Sequence, residues 1–247
     1  MSICYVKVCG GLGNQLFQVA AGYAYSKKYN KELIIDDSGW VASQGKSPKE
    51  YKYTIFKNFH YGTTFNRDVI PIYEVDCNYQ ELSNYNGNVS LNGYFQSLKY
   101  FENYKHQFID QLVLPNVNCS IIKDESVAFH IRRGDYLIYP DIHLVCDTNY
   151  FHSMFEKFQD YNINVFTDSP QHVLNEFEKY NFNLIQTSSE INDLTLMSQH
   201  ANVVCSNSSF SWWASILGKS KSMVIVPDKW YNDRPCEDIY CDFMTRL

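Results

Sequence analysis

Apolar and polar positions follow two regimes along this chain. From residue 126 onward the pattern is regular: apolar runs at 126–131, 163–167, 182–186, 201–205 and 223–226 alternate with helix-period stretches at 148–159, 170–180, 190–199 and 209–218. Strands alternating with helices predict a parallel sheet with helices on both faces. The first part is less uniform. A strand at Cys4–Cys9, a glycine turn at Gly10–Gly13, a helix over Asn14–Tyr29 and a strand at Glu32–Asp36 form a β-α-β unit. The helix rests on Leu16, Ala20, Tyr23, Ala24 and Lys27, at three- and four-residue spacing. Residues 37–85 are polar, aromatic and weakly periodic, and predict loops and short helices. Val89–Phe95 predicts a strand and Leu98–Leu114 a helix, and the polar stretch Pro115–Asp124 marks a boundary between domains 1–120 and 121–247.

Composition narrows what such a chain does. With 45% hydrophobic and 16% aromatic residues over 247 positions, it buries a substantial core and is not disordered. A net charge of -6 excludes binding of nucleic acid or anionic membranes through the overall field, so any anion is met by a local cluster. The eight cysteines include no Cys-x-x-Cys pair, and Cys4, Cys9 and Cys205 lie in apolar runs. They read as reduced, buried small hydrophobes, and Cys236 with Cys241 is a poor match to zinc-site spacing. No apolar run reaches the ~18 residues of a membrane span, and the N-terminus has no signal-peptide pattern, so a cytoplasmic location is expected.

The candidate chemistry sits where strands are predicted to end, the edge at which open α/β sheets bind ligands. His130-Ile131-Arg132-Arg133 closes one run, Asp168 another, and Ser206-Asn207-Ser208-Ser209 a third. Guanidinium forks suit phosphate oxygens, so the two arginines would clamp a diphosphate, with a structural ion pair to Asp135 expected for one of them. The embedded Arg133-Gly134-Asp135 also matches an adhesion tripeptide, but it follows a predicted central strand instead of standing on a display loop. The Ser/Asn cluster precedes a helix, where it would cap the helix or, with free amides, hold phosphate. Trp212 and Trp213 read as core in preference to a sugar platform. Asp168 or Ser169 would cap a helix, or Asp168 would accept from the paired N–H groups of guanine or a ribose diol. Gly10–Gly13 lacks both the P-loop Lys-Ser/Thr and the last glycine of the dinucleotide fingerprint; with Asn14 and Gln15 it suits close backbone approach and neutral donation to sugar hydroxyls.

GGLGNQLFQ at 10–18, LNGYFQSLKYF at 91–101, HIRRGDY at 130–136, VFTDSP at 165–170 and CSNSSFSWW at 205–213 stand in an order that resembles the α-1,2-fucosyltransferases of glycosyltransferase family 11. The resemblance runs from Gly10 to Trp213. It implies an α/β, GT-B-like fold of two Rossmann-like halves with parallel sheets facing a cleft, domain 1–120 on the acceptor side and domain 121–247 holding GDP-β-L-fucose. It further implies inverting transfer of L-fucose to the 2-hydroxyl of a galactoside in a glycan, without metal or other cofactor. Another GDP-sugar donor or a different linkage is the alternative.

With no Asp-x-Asp metal motif in the chain, Arg132, with Arg133 or the Ser208/Ser209 helix terminus, would neutralise the leaving diphosphate. By the same resemblance Asp135 holds the arginine loop, and Arg132 and Asp135 are the catalytic pair. Donor contacts fall to Gly11, Gly13, Asn14, Gln15, His130, Arg132, Arg133, Asp168, Asn207, Ser208, Ser209 and Phe210, with no metal ligands. The partners implied are GDP-L-fucose and a galactose-containing glycan. Nucleic acid is not among them, and a lipid-linked acceptor would bring the protein to a membrane peripherally. The chain resembles bacterial or viral cytoplasmic members, and its short 37–85 region is where acceptor loops would lie. For the general base, Asp135, Asp141, His143 and Asp37 all remain open.

Overall fold

The computed structural model describes residues 1–38, 48–64, 68–122, 125–138 and 144–247. The chain forms two compact units: Met1–Leu114 with Cys236–Cys241, and Pro115–Pro235 with Asp242–Leu247.

In the first unit the chain runs β1 (Ile3–Lys7), α1 (Leu12–Lys28), β2 (Glu32–Asp36), α2 (Pro48–Tyr51), β3 (His60–Gly62), β4 (Ile70–Tyr73), β5 (Val89–Asn92) and α3 (Lys105–Ile109). Among the described residues its strands make one five-stranded sheet, β3-β2-β1-β5-β4, all parallel. Strand order reverses between β1 and β5, the switch point at which such sheets open a crevice. The helix expected over 98–114 is instead two 3₁₀ turns, Leu98–Tyr100 and Glu102–Tyr104, followed by α3. Packing overrides propensity there. Phe101 leaves helical geometry at φ -136° and buries its ring against Phe17 and Phe108, at centroid distances of 6.2 and 6.3 Å.

The second unit runs β6 (Ser126–Ile131), α4 (Gly134–Ile138), α5 (Thr148–Lys157), β7 (Asn162–Thr167), α6 (Pro170–Glu176), β8 (Asn183–Ile185), α7 (Glu190–Ser198), β9 (Asn202–Val204), α8 (Ser209–Ile216), β10 (Met223–Val226) and β11 (Met244–Arg246). Its six-stranded parallel sheet, β8-β7-β6-β9-β10-β11, has the strand order of a dinucleotide-binding domain, with the switch point between β6 and β9. Every residue of β6 is buried, as a strand covered on both faces requires. Phe129, Phe151, Phe155, Phe158 and Phe177 fill the core on one face, and Phe155 stacks on Tyr180 at 4.6 Å. Trp212 and Trp213 are fully buried, so neither is a platform for sugar.

Candidate functional site

In the second unit β6 ends at Ile131 and delivers a loop of opposed charges. Arg132 Nη1 lies 2.6 Å from Asp168 Oδ2 at the end of β7, and Arg132 Nη2 is paired with Asp135 Oδ1. Asp168 Oδ1 accepts from the backbone N–H of Arg133 at 2.9 Å, and Ser169 Oγ accepts from Gly134 N at 2.9 Å. Gly134 sits at φ +27°, and a Cβ there would collide with the Asp168 carboxylate. Glycine is therefore a condition of the clamp. Tyr136 places its ring 5.3 Å from the Arg132 guanidinium carbon and donates to the Asn207 carbonyl at 3.4 Å, tying this loop to the serine turn. Two of the five N–H donors of Arg132 are held by carboxylates, which fixes the direction of the rest.

Arg133 does something else. It is 1% exposed; its Nη1 donates to the Cys146 carbonyl at 3.0 Å, and its guanidinium lies 5.3 Å from the Phe151 ring. Burial presses its pKa down, with Cys146, Glu176, Asp168 and Asp147 opposing. The two guanidinium groups thus serve different partners, and Arg132, not Arg133, pairs with Asp135. A tripeptide whose arginine is buried is not displayed for adhesion.

Across the switch point the Ser206–Ser211 turn enters α8. Ser206 Oγ lies 3.0 Å from His130 Nδ1, and Phe210 packs 5.4 Å from the imidazole. Burial, aided by the Arg132 charge, lowers the pKa of His130 to about 3, so the ring is neutral at physiological pH. Ser208 caps α8 by accepting from Phe210 N at 3.3 Å, and Ser211 Oγ donates to the Ser206 and Ser208 carbonyls. Asn207 Nδ2 donates to the carbonyls of Leu144 and Trp230 at 2.8 and 3.1 Å. Much of the cluster's polarity is thus spent on building the turn. Asn207 Oδ1 and Asp135 Oδ2 are buried acceptors without a hydrogen-bond partner among the described residues. Buried acceptors of this kind are costly unless a ligand or water meets them.

The first unit holds the turn beyond β1 with carboxamides, while beyond β5 the Glu74 carboxylate accepts from the backbone N–H groups of Tyr94 and Phe95 at 2.6 and 2.7 Å. Gly10, at φ +75°, turns the chain from β1 into α1, and a Cβ on it would stand 2.6 Å from Asn14 Nδ2. Gln15, fully buried, donates to the Gly10 carbonyl at 2.8 Å, and Gln96 donates to Asn14 Oδ1 at 2.8 Å. Gln18, also fully buried, accepts from Cys9 N at 2.9 Å and donates to the Gly93 carbonyl at 3.0 Å, stapling the ends of β1 and β5. Gly11 stands at the α1 N-cap with no side-chain cap, and a Cβ on it would meet nothing within 4 Å. Gly13 is buried in the first turn.

His130, Arg132, Asp135, Asp168, Asn207, Ser208 and Phe210 thus gather around the carboxyl ends of β6, β7 and β9, with Ser209 half-buried opening α8. Asn14 is partly accessible, whereas Gln15 faces inward to the turn. Sequence reasoning passed over Gln18 and Tyr136 and gave Ser169 only a capping role; Ser169 stands at the α6 N-cap without a side-chain cap, its hydroxyl meeting Gly134 N instead. Gln18 carried one usable signal, a carboxamide on the buried side of a helix. Of the candidate bases, Asp37 is half-buried beside Asp36, while Asp141 and His143 lie outside the described residues. Asp36 itself is spent: burial would raise its pKa, but hydrogen bonds from Ser38 and Thr64 outweigh this and hold it below the usual value.

Two parallel α/β sheets with polar loops at their carboxyl edges are the architecture of GT-B-like glycosyltransferases. The crystal structure of NodZ α-1,6-fucosyltransferase co-crystallised with GDP matches at a TM-score of 0.56 and 12% identity, covering 86% of this chain and 91% of that one. NodZ from Bradyrhizobium matches equally, covering 86% and 92%. The chain belongs to glycosyl transferase family 11, whose sequence profile matches residues 43–242. An α-1,2-colitosyltransferase of Escherichia coli is 27% identical over 276 residues, which cover 94% of this chain and 93% of that protein. The O-antigen biosynthesis glycosyltransferase WbnK of Escherichia coli is 24% identical, with coverage of 92% and 94%. Among the described residues, no helix is long and apolar enough to cross a membrane.

Proposed function

We propose that this glycosyltransferase moves L-fucose from GDP-β-L-fucose to the 2-hydroxyl of a galactoside, with inversion at the anomeric carbon and without a metal. In the displacement the bond from the anomeric carbon to the diphosphate oxygen breaks as the acceptor oxygen bonds to that carbon. The acceptor proton passes to a base, and GDP leaves with the bonding electron pair. The observation that carries this reading is Arg132, aimed by Asp135 and Asp168 at the carboxyl edge of a nucleotide-type sheet beside the α8 N-terminus. A preorganised guanidinium there stabilises the charge growing on the diphosphate. His130, Asn207, Ser208, Ser209 and Phe210 bound the nucleotide side, while Asn14 and the glycine turn serve the sugar. Gln15, Arg133 and Asp168 support the loops from behind.

The resemblance to an α-1,2-colitosyltransferase favours a second donor. Colitose is fucose without its 3-hydroxyl, so GDP-colitose would occupy the same site. Competition binding tests the nucleotide: GDP is expected to bind at least tenfold tighter than UDP, and parity between them removes the guanine assignment. Transfer assays with GDP-fucose and GDP-colitose on a β-galactoside, run in excess EDTA, decide between the donors. An absolute requirement for Mg²⁺ or Mn²⁺ would refute charge neutralisation by Arg132 and helix amides alone.

A further inference from the structure

The first unit carries a cavity of about 320 Å³ against the C-terminal half of α1. Its volume falls at the low end of the range of about 300–1,000 Å³ for small-ligand sites. The floor is small and apolar, made by Ala21, Ala24 and Leu82, and the walls are tyrosines, among them Tyr29, Tyr79 and Tyr100. Those walls are fixed by the segment they enclose. Tyr29 Oη donates to the Leu82 carbonyl at 2.8 Å, Tyr25 Oη to the Ser83 carbonyl at 2.9 Å, and Tyr100 Oη accepts from Gln80 N at 3.2 Å. With these hydroxyls engaged by the backbone, Tyr25 packs edge-on against Tyr29 at 4.7 Å and Tyr79 against Tyr100 at 4.9 Å, so the walls are two ring pairs.

The rim is polar and nearly balanced in charge. Lys28 pairs with Glu81 at 3.1 Å and Lys99 with Asp238 at 2.5 Å, while Glu102 and Asn103 are exposed at the mouth. An ammonium has three donors, and an exposed surface pair such as Lys28 with Glu81 binds weakly, so Lys28 can share a hydroxyl ligand. Tyrosine faces under a neutral ring of donors and acceptors suit a pyranose, whose C–H face is apolar and whose edge is hydroxylated. The balance of charge disfavours a nucleoside diphosphate. Along α1, Asn14 and Tyr25 are separated by about 16 Å at a rise of about 1.5 Å per residue, so this cavity is distinct from the glycine turn.

We infer that the cavity is a second, non-catalytic subsite for a neutral pyranoside, binding a glycan away from the point of transfer. The choice of a sugar rests on the glycan-directed reading above. Crystals soaked in lactose, with calorimetry in solution, test it. The expected result is sugar density in the cavity, over Ala21, Ala24 and Leu82 and against the Tyr79–Tyr100 ring pair. Tyr79→Ala should weaken lactose binding at this site about threefold to tenfold, and Asn103→Trp, which fills the mouth from an exposed position, should abolish it, both with GDP affinity unchanged. Lactose density absent from the cavity of the wild-type protein, or still present there in crystals of Asn103→Trp, overturns the subsite. Failure of the wild-type protein to bind GDP would instead overturn the proposed function, and lactose in the cavity would still stand.

Discussion

Each unit turns its chain at the same place, just beyond the first strand of its sheet and beside its switch point, yet the two turns are held by opposite chemistry. Beyond β6 the fastening is ionic: Asp168 and Asp135 grip Arg132, and Asp168 also takes the Arg133 amide. Beyond β1 it is neutral: Gln15, Gln18 and Gln96 hold Gly10, Cys9, Gly93 and Asn14. A carboxylate clamp keeps a permanent charge in one orientation, which a phosphate-handling site needs. Carboxamide staples fix backbone without a charge of their own, and the Glu74 carboxylate beyond β5 is engaged by the Tyr94 and Phe95 amides, which suits a surface that meets hydroxyls.

The sharpest way to break this contrast is to remove the charge. Arg132→Ala should lower transfer by about 10²–10³-fold, the scale of losing one preorganised charge-stabilising donor. Arg132→Lys should recover little, because an ammonium cannot span two carboxylates as the fork does. A variant retaining more than a third of the wild-type rate would take Arg132 out of leaving-group stabilisation.

Next in size is the backbone that permits the clamp. Gly134→Ala drives a methyl into the Asp168 carboxylate and strains a position at φ +27°, at a cost of about 1–3 kcal/mol. Turnover should fall about tenfold or more while Arg132 itself remains. Kinetics indistinguishable from wild type would show that the grip of Asp168 on Arg132 does not matter to the reaction.

The neutral turn should answer in a different currency. Gln18→Leu leaves the half-buried Cys9 N–H and Gly93 carbonyl without their partner, a penalty of at most about 1–3 kcal/mol for each group. The urea midpoint should drop, with GDP affinity within about twofold of wild type. Loss of GDP binding at unchanged stability would mean that Gln18 serves the ligand and not the fold.

The ionic turn was the more legible of the two in the sequence. Strands β6 and β10 were placed to the residue because a strand buried on both faces is a continuous apolar run, and the chemistry stood at its end. What misled was the equivalence of neighbours: Arg132 and Arg133 look alike in a string, but successive residues face opposite ways, and one guanidinium turned into the core. Gln18 was hidden for the opposite reason, since a buried carboxamide satisfied by distant backbone has no local pattern. Short β11, half-exposed and three residues long, offered no periodicity, and the return of Cys236–Cys241 to the first unit depends on contacts such as Asp238 with Lys99 and with Tyr79 N.

The smallest expected effect is the one that decides which turn holds the nucleotide. Asn14 is partly accessible at the neutral turn, and its Oδ1 accepts from Gln96 at 2.8 Å. If it meets sugar and not phosphate, Asn14→Ala should leave GDP affinity within about twofold and lower transfer by about twofold to tenfold, the range of one ordinary hydrogen bond. The contrary case has a physical basis, because α1 begins at Gly11 with no side-chain cap, and an open helix N-terminus attracts anions. Calorimetry with GDP on Asn14→Ala and Asp168→Ala, beside transfer assays, separates the two. GDP binding lost in Asn14→Ala and intact in Asp168→Ala would move the diphosphate to the first unit. The carboxylate clamp around Arg132 would then be a structural ion network, and the neutral turn would be the one that handles charge.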